Sequence, residues 1–448
     1  MSLIAYFVGQ RSGKSFAVES GPSIHSLPGY HGAFVAIWVG VPALVLVLLW
    51  LLFQNTVIDG LLIASLPDAM TDPASPAQIN LYLSEIRNVS SGRIFAEPSP
   101  EIAAAADRLV RWSSLARIAM FVVALALMAV TFFFARARLA PRFRARNGVE
   151  RILSIFMIGC SIIAIMTTIG IIVSLVWEAW AFFALVPPAE FFFGLRWEPQ
   201  IAIRADQVAG AGAFGAVPVF LGTLVIATIA MTMAIPVGLF TAIYLVEFAG
   251  DRVRNVLKPL LEILAGVPTV VYGFFAILTV APAIRQAGGM IGIPISPNSA
   301  LAAGLVMGVM IIPFISSLSD DAIRAVPRTM RDGSLAMGAT RSETVMRVLL
   351  PAALPGIMGG ILLALSKTLG ETMIVLMAAG LIASLTINPL DSVTTVTLQI
   401  VTLLTGDTAF DNPKTLAAFA LGLVLFMVTL ALNVVALAIV RRYREQYE

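Results

Sequence analysis

An all-α integral membrane fold with about eight transmembrane helices is predicted by two features of the sequence. Of its 448 residues, 59% are hydrophobic and only 12% charged, against about 25% charged in soluble domains. The missing charge is concentrated in long uncharged runs, and about 20 apolar residues suffice to cross a bilayer. The formal net charge of +3 sits mostly at the ends of these runs. No basic stripe with interleaved aromatics is present, which argues against nucleic-acid binding. The single cysteine, Cys160, lies inside an apolar run and excludes an intrachain disulfide. His25 and His31 have no third His or Cys to complete a metal site. No cofactor is implied.

The first thirty residues read as polar, with Arg11 and Lys14. The first span is expected over Gly32–Phe53, with no small-residue cleavage site after it. A polar segment rich in Pro, Asp and Ser follows from Gln54 to Ser113, including a helical-looking stretch, Glu101–Trp112. The second span is Ser114–Ala135. Next, Arg136–Arg151 holds six arginines and one acid. It reads as a stop-transfer segment and as a boundary between an N-terminal extension, 1–151, and a main body, 152–448. Six further spans follow: Ile152–Leu185, Ala213–Phe248, Leu261–Ile284, Ser299–Leu318, Leu354–Ser384 and Leu416–Val440. Pro236, Pro268, Pro282 and Pro313 are expected to interrupt them, which membranes tolerate where backbone is buried or lines a cavity.

Eight spans put both termini on one side. The connecting segments on that side hold 19 of the 29 Lys and Arg, those on the other side hold 8, and Arg117 and Lys367 fall within spans. The basic set is therefore expected in the cytoplasm, with both termini inside.

The longest basic loop of the main body, 319–353, reads as two short helices around a turn. Pro327 suits the start of the first helix, and Gly338 suits a left-handed turn. Thr340 and Glu343 match a capping box, and Val345, Val348 and Leu349 make an apolar stripe at helical spacing. Such a unit could lie on the membrane or dock into a partner. The spacing is similar to the EAA signature of ABC importer permeases. Asp332-Gly333-Ser334, Gly338, Val348 and Leu350-Pro351 are all in register, with Asp-Gly-Ser in place of Glu-Ala-Ala. In that family the loop inserts into the ATPase subunit and transmits its closure. Gly333 and Ser334 are weaker helix formers than alanine, so a less rigid first helix is expected. The resemblance implies that the ATPase is another chain. GQRSGKS, Gly9–Ser15, invites a phosphate-loop reading, but that motif needs glycine at position 8, where this chain has Val8, and an α/β domain that is absent from the pattern.

Two opposite charges, Lys367 and Glu371, stand four residues apart in the seventh span. On one helix they would share a face and pair. Each costs about 2.5–3.5 kcal/mol at mid-bilayer on insertion scales, so a polar pathway is the expected setting, and a structural pair inside the bundle is the other. A cation there suits an anionic substrate, and a neighbouring acid would limit how tightly it sticks. Glu178, Glu247 and Glu262 are assigned no role.

The block around Gly370-Glu371-Thr372 resembles phosphate-importer permeases of the PstC type, with Lys367 where Arg is usual. Ala265–Ala276, AGVPTVVYGFFA, and His25–Phe34, HSLPGYHGAF, resemble the same family in its long form. The resemblance implies a six-helix permease core after a two-helix hairpin. It further implies inorganic phosphate as substrate, no covalent chemistry by this chain, and four kinds of partner. These are membrane lipid, a PstA-type permease, a pair of PstB-type ATP-binding subunits and a periplasmic PstS-type phosphate-binding protein. A permease for molybdate, sulfate or phosphonate, and a non-transporting scaffold or sensor, remain open alternatives.

Overall fold

Long apolar runs become helices with few interruptions in the computed structural model, which describes residues 1–20, 25–67, 76–93, 99–141, 143–200, 212–405 and 412–444. The chain divides into two units, Met1–Met166 and Thr167–Glu448.

The first unit holds α1 (Ser2–Ser20), α2 (Pro28–Ala64), α3 (Pro76–Ser90), α4 (Pro100–Ala137) and the start of α5 (Ala145–Leu185). Proline opens α2 and α4, where its missing N–H costs nothing. The Ser99 hydroxyl adds a cap to α4, accepting from Ile102 N. Glu101–Trp112 is helical as expected, but it is continuous with the second span. Both helices run beyond their apolar stretches. There Leu62, Leu66, Ile86, Ile102, Ala105 and Ala106 of α2, α3 and α4 form a small core. An Arg87–Asp59 ion pair at 2.5 Å and an Arg108 to Ser65 carbonyl bond at 2.8 Å tie it together. The described part of the polar segment 54–113 is thus a packed helical layer.

The N-terminus is not simply polar. α1 runs antiparallel along α2, with Ser2 against Gly40 and Gly13 against Pro28. A Cβ at Gly9 would lie 2.8 Å from the His31 carbonyl oxygen, and one at Gly13 would lie 2.9 Å from Pro28 Cα. The glycines of GQRSGKS let two helix backbones approach, as small residues four apart do in membrane bundles.

The second unit holds the rest of α5, α6 (Pro188–Phe193) and a two-residue antiparallel pair, β1 (Trp197–Glu198) and β2 (Ala213–Phe214). α7 (Val217–Ile243) follows, then α8 (Asp251–Gly266), α9 (Thr269–Phe275), α10 (Ala281–Met290) and α11 (Ala300–Ala325). α12 (Arg328–Ala336), α13 (Arg341–Thr344), α14 (Leu350–Leu369), α15 (Met373–Ala378), α16 (Val396–Leu404) and α17 (Pro413–Arg444) complete it. The core is centred on α7 and α11, where Ala230, Ala234, Ala303, Met307, Ile311 and Ile315 are buried. A Cβ at Gly304 would meet the Ile229 side chain at 2.7 Å, so these two helices also pack through missing side chains.

Among the described residues, eight helices are long and apolar enough to cross a membrane, the number expected. None matches its expected bounds to the residue, and two lose part of the expected span to a break. The fifth is Thr269–Met290. Leu261–Gly266 belongs instead to amphipathic α8, which ends where Val267 and Pro268 turn extended. The seventh stops at Leu369 rather than Ser384, and the chain beyond α15 is irregular up to Thr395. Its backbone is nevertheless paired. Gly380 N donates to Val393 O, Ala300 N to Asp391 O and Leu301 N to Pro389 O, as irregular backbone in a membrane protein requires.

Of the four prolines expected to interrupt spans, only Pro268 breaks one. Pro236 and Pro313 lie inside continuous helices. Pro282 follows a widened π-type turn, Ala276–Val280, and Pro351 follows another, Val345–Leu349. A proline ring clashes with the carbonyl four residues back, here Leu278 and Arg347. The wider turn makes room for it without stopping the helix.

Candidate functional site

Two sets of residues stand out in the second unit: the basic loop and the break at the end of α14.

The loop folds as its residues dictate. Pro327 precedes α12, and Gly338 takes φ +88°, the left-handed conformation glycine adopts at least cost. Thr340 Oγ1 accepts from Glu343 N at 3.3 Å, and Glu343 Oε2 accepts from Thr340 N at 2.9 Å. The capping box is complete and starts α13. Val345 and Leu349 are buried against Ala242, Ile243 and Ile323, while Val348 and Leu350 are half-buried and Pro351 is exposed. Asp332, Gly333 and Gly338 are exposed, and Ser334 is half-buried. Ser334 Oγ lies 3.0 Å from Thr344 Oγ1, a link between the two short helices that alanine could not make. The Asp-Gly-Ser triplet therefore loses helix propensity at Gly333 but gains a tie at Ser334. Leu335, Met337 and Met346 project into solvent, Met337 at 89% exposure.

Three ion pairs that sequence reasoning missed lie on the loop and on the helices beside it. Arg331 of α12 pairs with Glu247, whose side chain is only 8% exposed. Glu247 lies in the π-type turn Tyr244–Phe248 that ends α7. Buried Asp320 of α11 receives Lys258 of α8 at 3.2 Å and Arg324 at 3.0 Å. The Asp320–Arg324 spacing of four is readable in sequence. The other two contacts join distant segments and are not.

Lys367 and Glu371 do not share a helix. α14 ends at Leu369, with Gly370 as its cap, and Glu371 lies in the break. Glu371 Oε1 accepts from Met373 N at 3.1 Å and Ile374 N at 3.4 Å, so it caps α15. Lys367, in the last turn of α14, has no carboxylate partner among the described residues. Its Nζ stands 5.0 Å from the ring centroid of Phe314 in α11. Each charge thus lies at the helix end that favours its sign, the cation at a C-terminus and the anion at an N-terminus.

A buried polar network sits behind the break. Thr397 Oγ1 donates to Glu371 O at 2.8 Å and lies 3.1 Å from Thr395 Oγ1. Gln399 Nε2 donates to Leu381 O and to Thr394 Oγ1, both at 2.9 Å, and Gln399 Oε1 accepts from Trp197 Nε1 at 2.8 Å. The irregular segment after α15 is fastened by side chains of α16 and β1. In sequence, Thr394, Thr395 and Thr397 beside Gln399 were the only signal: polar residues in an otherwise apolar stretch.

Comparison with known proteins fits this arrangement. Residues 1–167 match a family described as phosphate ATP-binding cassette transporter. Residues 234–445 match the binding-protein-dependent transport system inner membrane component family. A probable ABC transporter permease of Bacillus subtilis, YqgH, is 33% identical over 274 residues, covering 60% of this chain and 84% of that protein. The phosphate transport system permease protein PstC 1 of Mycobacterium bovis is 35% identical over 277 residues, covering 56% and 81%. A bacterial alginate ABC transporter structure gives a TM-score of 0.46 at 15% identity, covering 67% of this chain and 98% of that one. That likeness is too distant to bear on the assignment. On the sequence relatives, this multi-pass membrane chain belongs to the PstC-type permease family of binding-protein-dependent ABC transporters.

Proposed function

We propose that this chain is the permease subunit that moves inorganic phosphate across the inner membrane, driven by ATP hydrolysis on a separate subunit. The observation that carries the substrate assignment is Lys367. Among the described residues this cation has no carboxylate partner, and it stands over an aromatic ring where a transmembrane helix breaks. A phosphate oxyanion supplies the missing counter-charge there. A single ammonium attracts it without the two-point grip of a guanidinium, which favours release. Glu371 acts as a positioning residue: by capping α15 it fixes the backbone beside the cation.

The loop 319–353 couples this path to the ATPase. Asp332, Gly333, Ser334 and Gly338 shape its two short helices, and Val348, Leu350 and Pro351 join them to α14. The exposed Leu335, Met337 and Met346 provide the apolar contact with the ATP-binding subunit. Residues 1–151 form an extension with two transmembrane helices and its own polar segment, and 152–448 form the core with six. Both termini lie on the cytoplasmic side of the membrane, following the distribution of Lys and Arg. The partners are a PstA-type permease, a PstB-type ATPase dimer and a PstS-type binding protein. In support of a related second permease, PstA 1 of Mycobacterium tuberculosis is 32% identical to this chain over 215 residues.

The test is uptake of labelled phosphate in a strain lacking this chain, before and after it is restored. Uptake should return with the chain, and unlabelled phosphate should compete where molybdate, sulfate and phosphonate do not. Competition by one of those anions at lower concentration than phosphate would reassign the substrate. Restoration of no uptake would reject transport.

A further inference from the structure

We propose that α1 and the arginine-rich turn between α4 and α5 form one binding surface for anionic phospholipid. Ala5 is buried in the same cluster as Val35, Ala135, Ala145 and Val149. The first turns of α1 therefore lie level with the end of the apolar run of α4 and the start of α5. Ala5, Gly9 and Gly13, four apart, face α2, and Leu3, Ile4 and Phe7 point away from it, 76%, 62% and 58% exposed. Further along the helix come Arg11 and Lys14, also exposed. Arg136, Arg138, Arg144 and Arg151 are exposed too. None of these six cations has a carboxylate partner among the described residues. Among the described residues of the turn only Arg146 is paired, with Glu150 at 2.6 Å. The Arg138 guanidinium lies over the Phe134 ring, 4.3 Å from its centroid, at the edge of the apolar run.

An apolar helix face bordered by unpaired cations suits an amphiphile with acyl chains and an acidic head. Position decides the occupant. Met1–Phe7 runs alongside Gly32–Gly40 of α2, within the first apolar span, where a soluble partner does not reach and lipid does. The side chains of Leu3, Ile4 and Phe7 would enter the acyl region, and the arginines would meet headgroup phosphates as snorkelling cations. A role in setting chain orientation needs only the positive charge. It does not account for an apolar, membrane-level helix face laid beside it.

The experiment titrates the full-length chain, purified in detergent, with phosphatidylglycerol and with phosphatidylcholine, reading bound lipid by native mass spectrometry. Phosphatidylglycerol should bind more tightly. The triple variant Arg136→Gln, Arg138→Gln, Arg144→Gln should lose about a hundredfold of that affinity, since each cation near an anionic lipid contributes about a fivefold factor. Leu3→Ser with Phe7→Ser, which leaves every charge in place, should weaken both lipids. Equal affinity for the two lipids, or an unchanged triple variant, overturns the proposal. So does displacement of phosphatidylglycerol by excess inorganic phosphate, which would make the cations a site for the free ion. If the triple variant does not insert, the Leu3/Phe7 variant decides alone: unchanged lipid binding overturns the proposal and weakened binding supports it.

Discussion

Replacing Arg331 by glutamine should destabilise the second unit more than replacing its partner Glu247. The pair is asymmetric: the Glu247 side chain is 8% exposed and that of Arg331 is 31% exposed. Without Arg331, a buried carboxylate is left uncompensated. For fully buried pairs that costs about 3–5 kcal/mol, and the partial exposure of Arg331 lowers the expectation to about 2 kcal/mol. Without Glu247, the guanidinium turns toward the water it already touches, and the loss is about 0.5–1 kcal/mol. The assay is thermal unfolding of the purified chain in detergent, followed by tryptophan fluorescence. At about 2–4 °C per kcal/mol for a unit of this size, Arg331→Gln should lower Tm by about 4–8 °C and Glu247→Gln by about 1–4 °C. The double variant should recover most of the difference, because no charge is then stranded. Equal shifts for the two single variants would mean that the unequal burial of Glu247 and Arg331 does not set the cost.

The same substitution should act with opposite sign at two glycines of the loop. Gly333→Ala lies in a helix with nothing within 4 Å of the new Cβ and should raise Tm, by up to about 1 kcal/mol of stability. Gly338→Ala forces a side chain into φ +88° and should lower stability by about 1–2 kcal/mol. Gln399→Leu strands Trp197 Nε1, Leu381 O and the Thr394 hydroxyl and should cost about 2–4 kcal/mol, read as a lower Tm with faster proteolysis after α15. Glu371→Gln keeps an oxygen able to cap α15, whereas Glu371→Ala does not. The alanine variant should lose about 1 kcal/mol and more uptake than the glutamine variant, and an equal loss of uptake in both would mean that charge, rather than capping, is what counts at this position.

Local rules read the loop well. Pro327, Gly338 and the Thr340–Glu343 box each specify geometry within four residues, and each is found as expected. The eight spans were legible because bilayer thickness sets one length scale for all of them. The break at Gly370 was not, because hydropathy stays apolar through α15 and masks the end of α14. Spacing alone then paired Lys367 with Glu371, although backbone amides two and three residues on take the carboxylate. The contacts that lock the site join Arg331 to Glu247 and Trp197 to Gln399, 84 and 202 residues apart. No periodicity within one segment reports such partners. α1 was misread for a different reason. Arg11 and Lys14 made the segment look polar, while Ala5, Gly9 and Gly13 carried the packing signal.

In the proposed mechanism Lys367 provides the cation that phosphate meets in the path. That role is tested most directly by initial-rate uptake of labelled phosphate with Lys367→Gln and Lys367→Arg, alongside ATP hydrolysis by the assembled complex. The glutamine variant should assemble and hydrolyse ATP but take up no phosphate above background, while the arginine variant should keep transport. Uptake by Lys367→Gln at the wild-type rate would contradict that role.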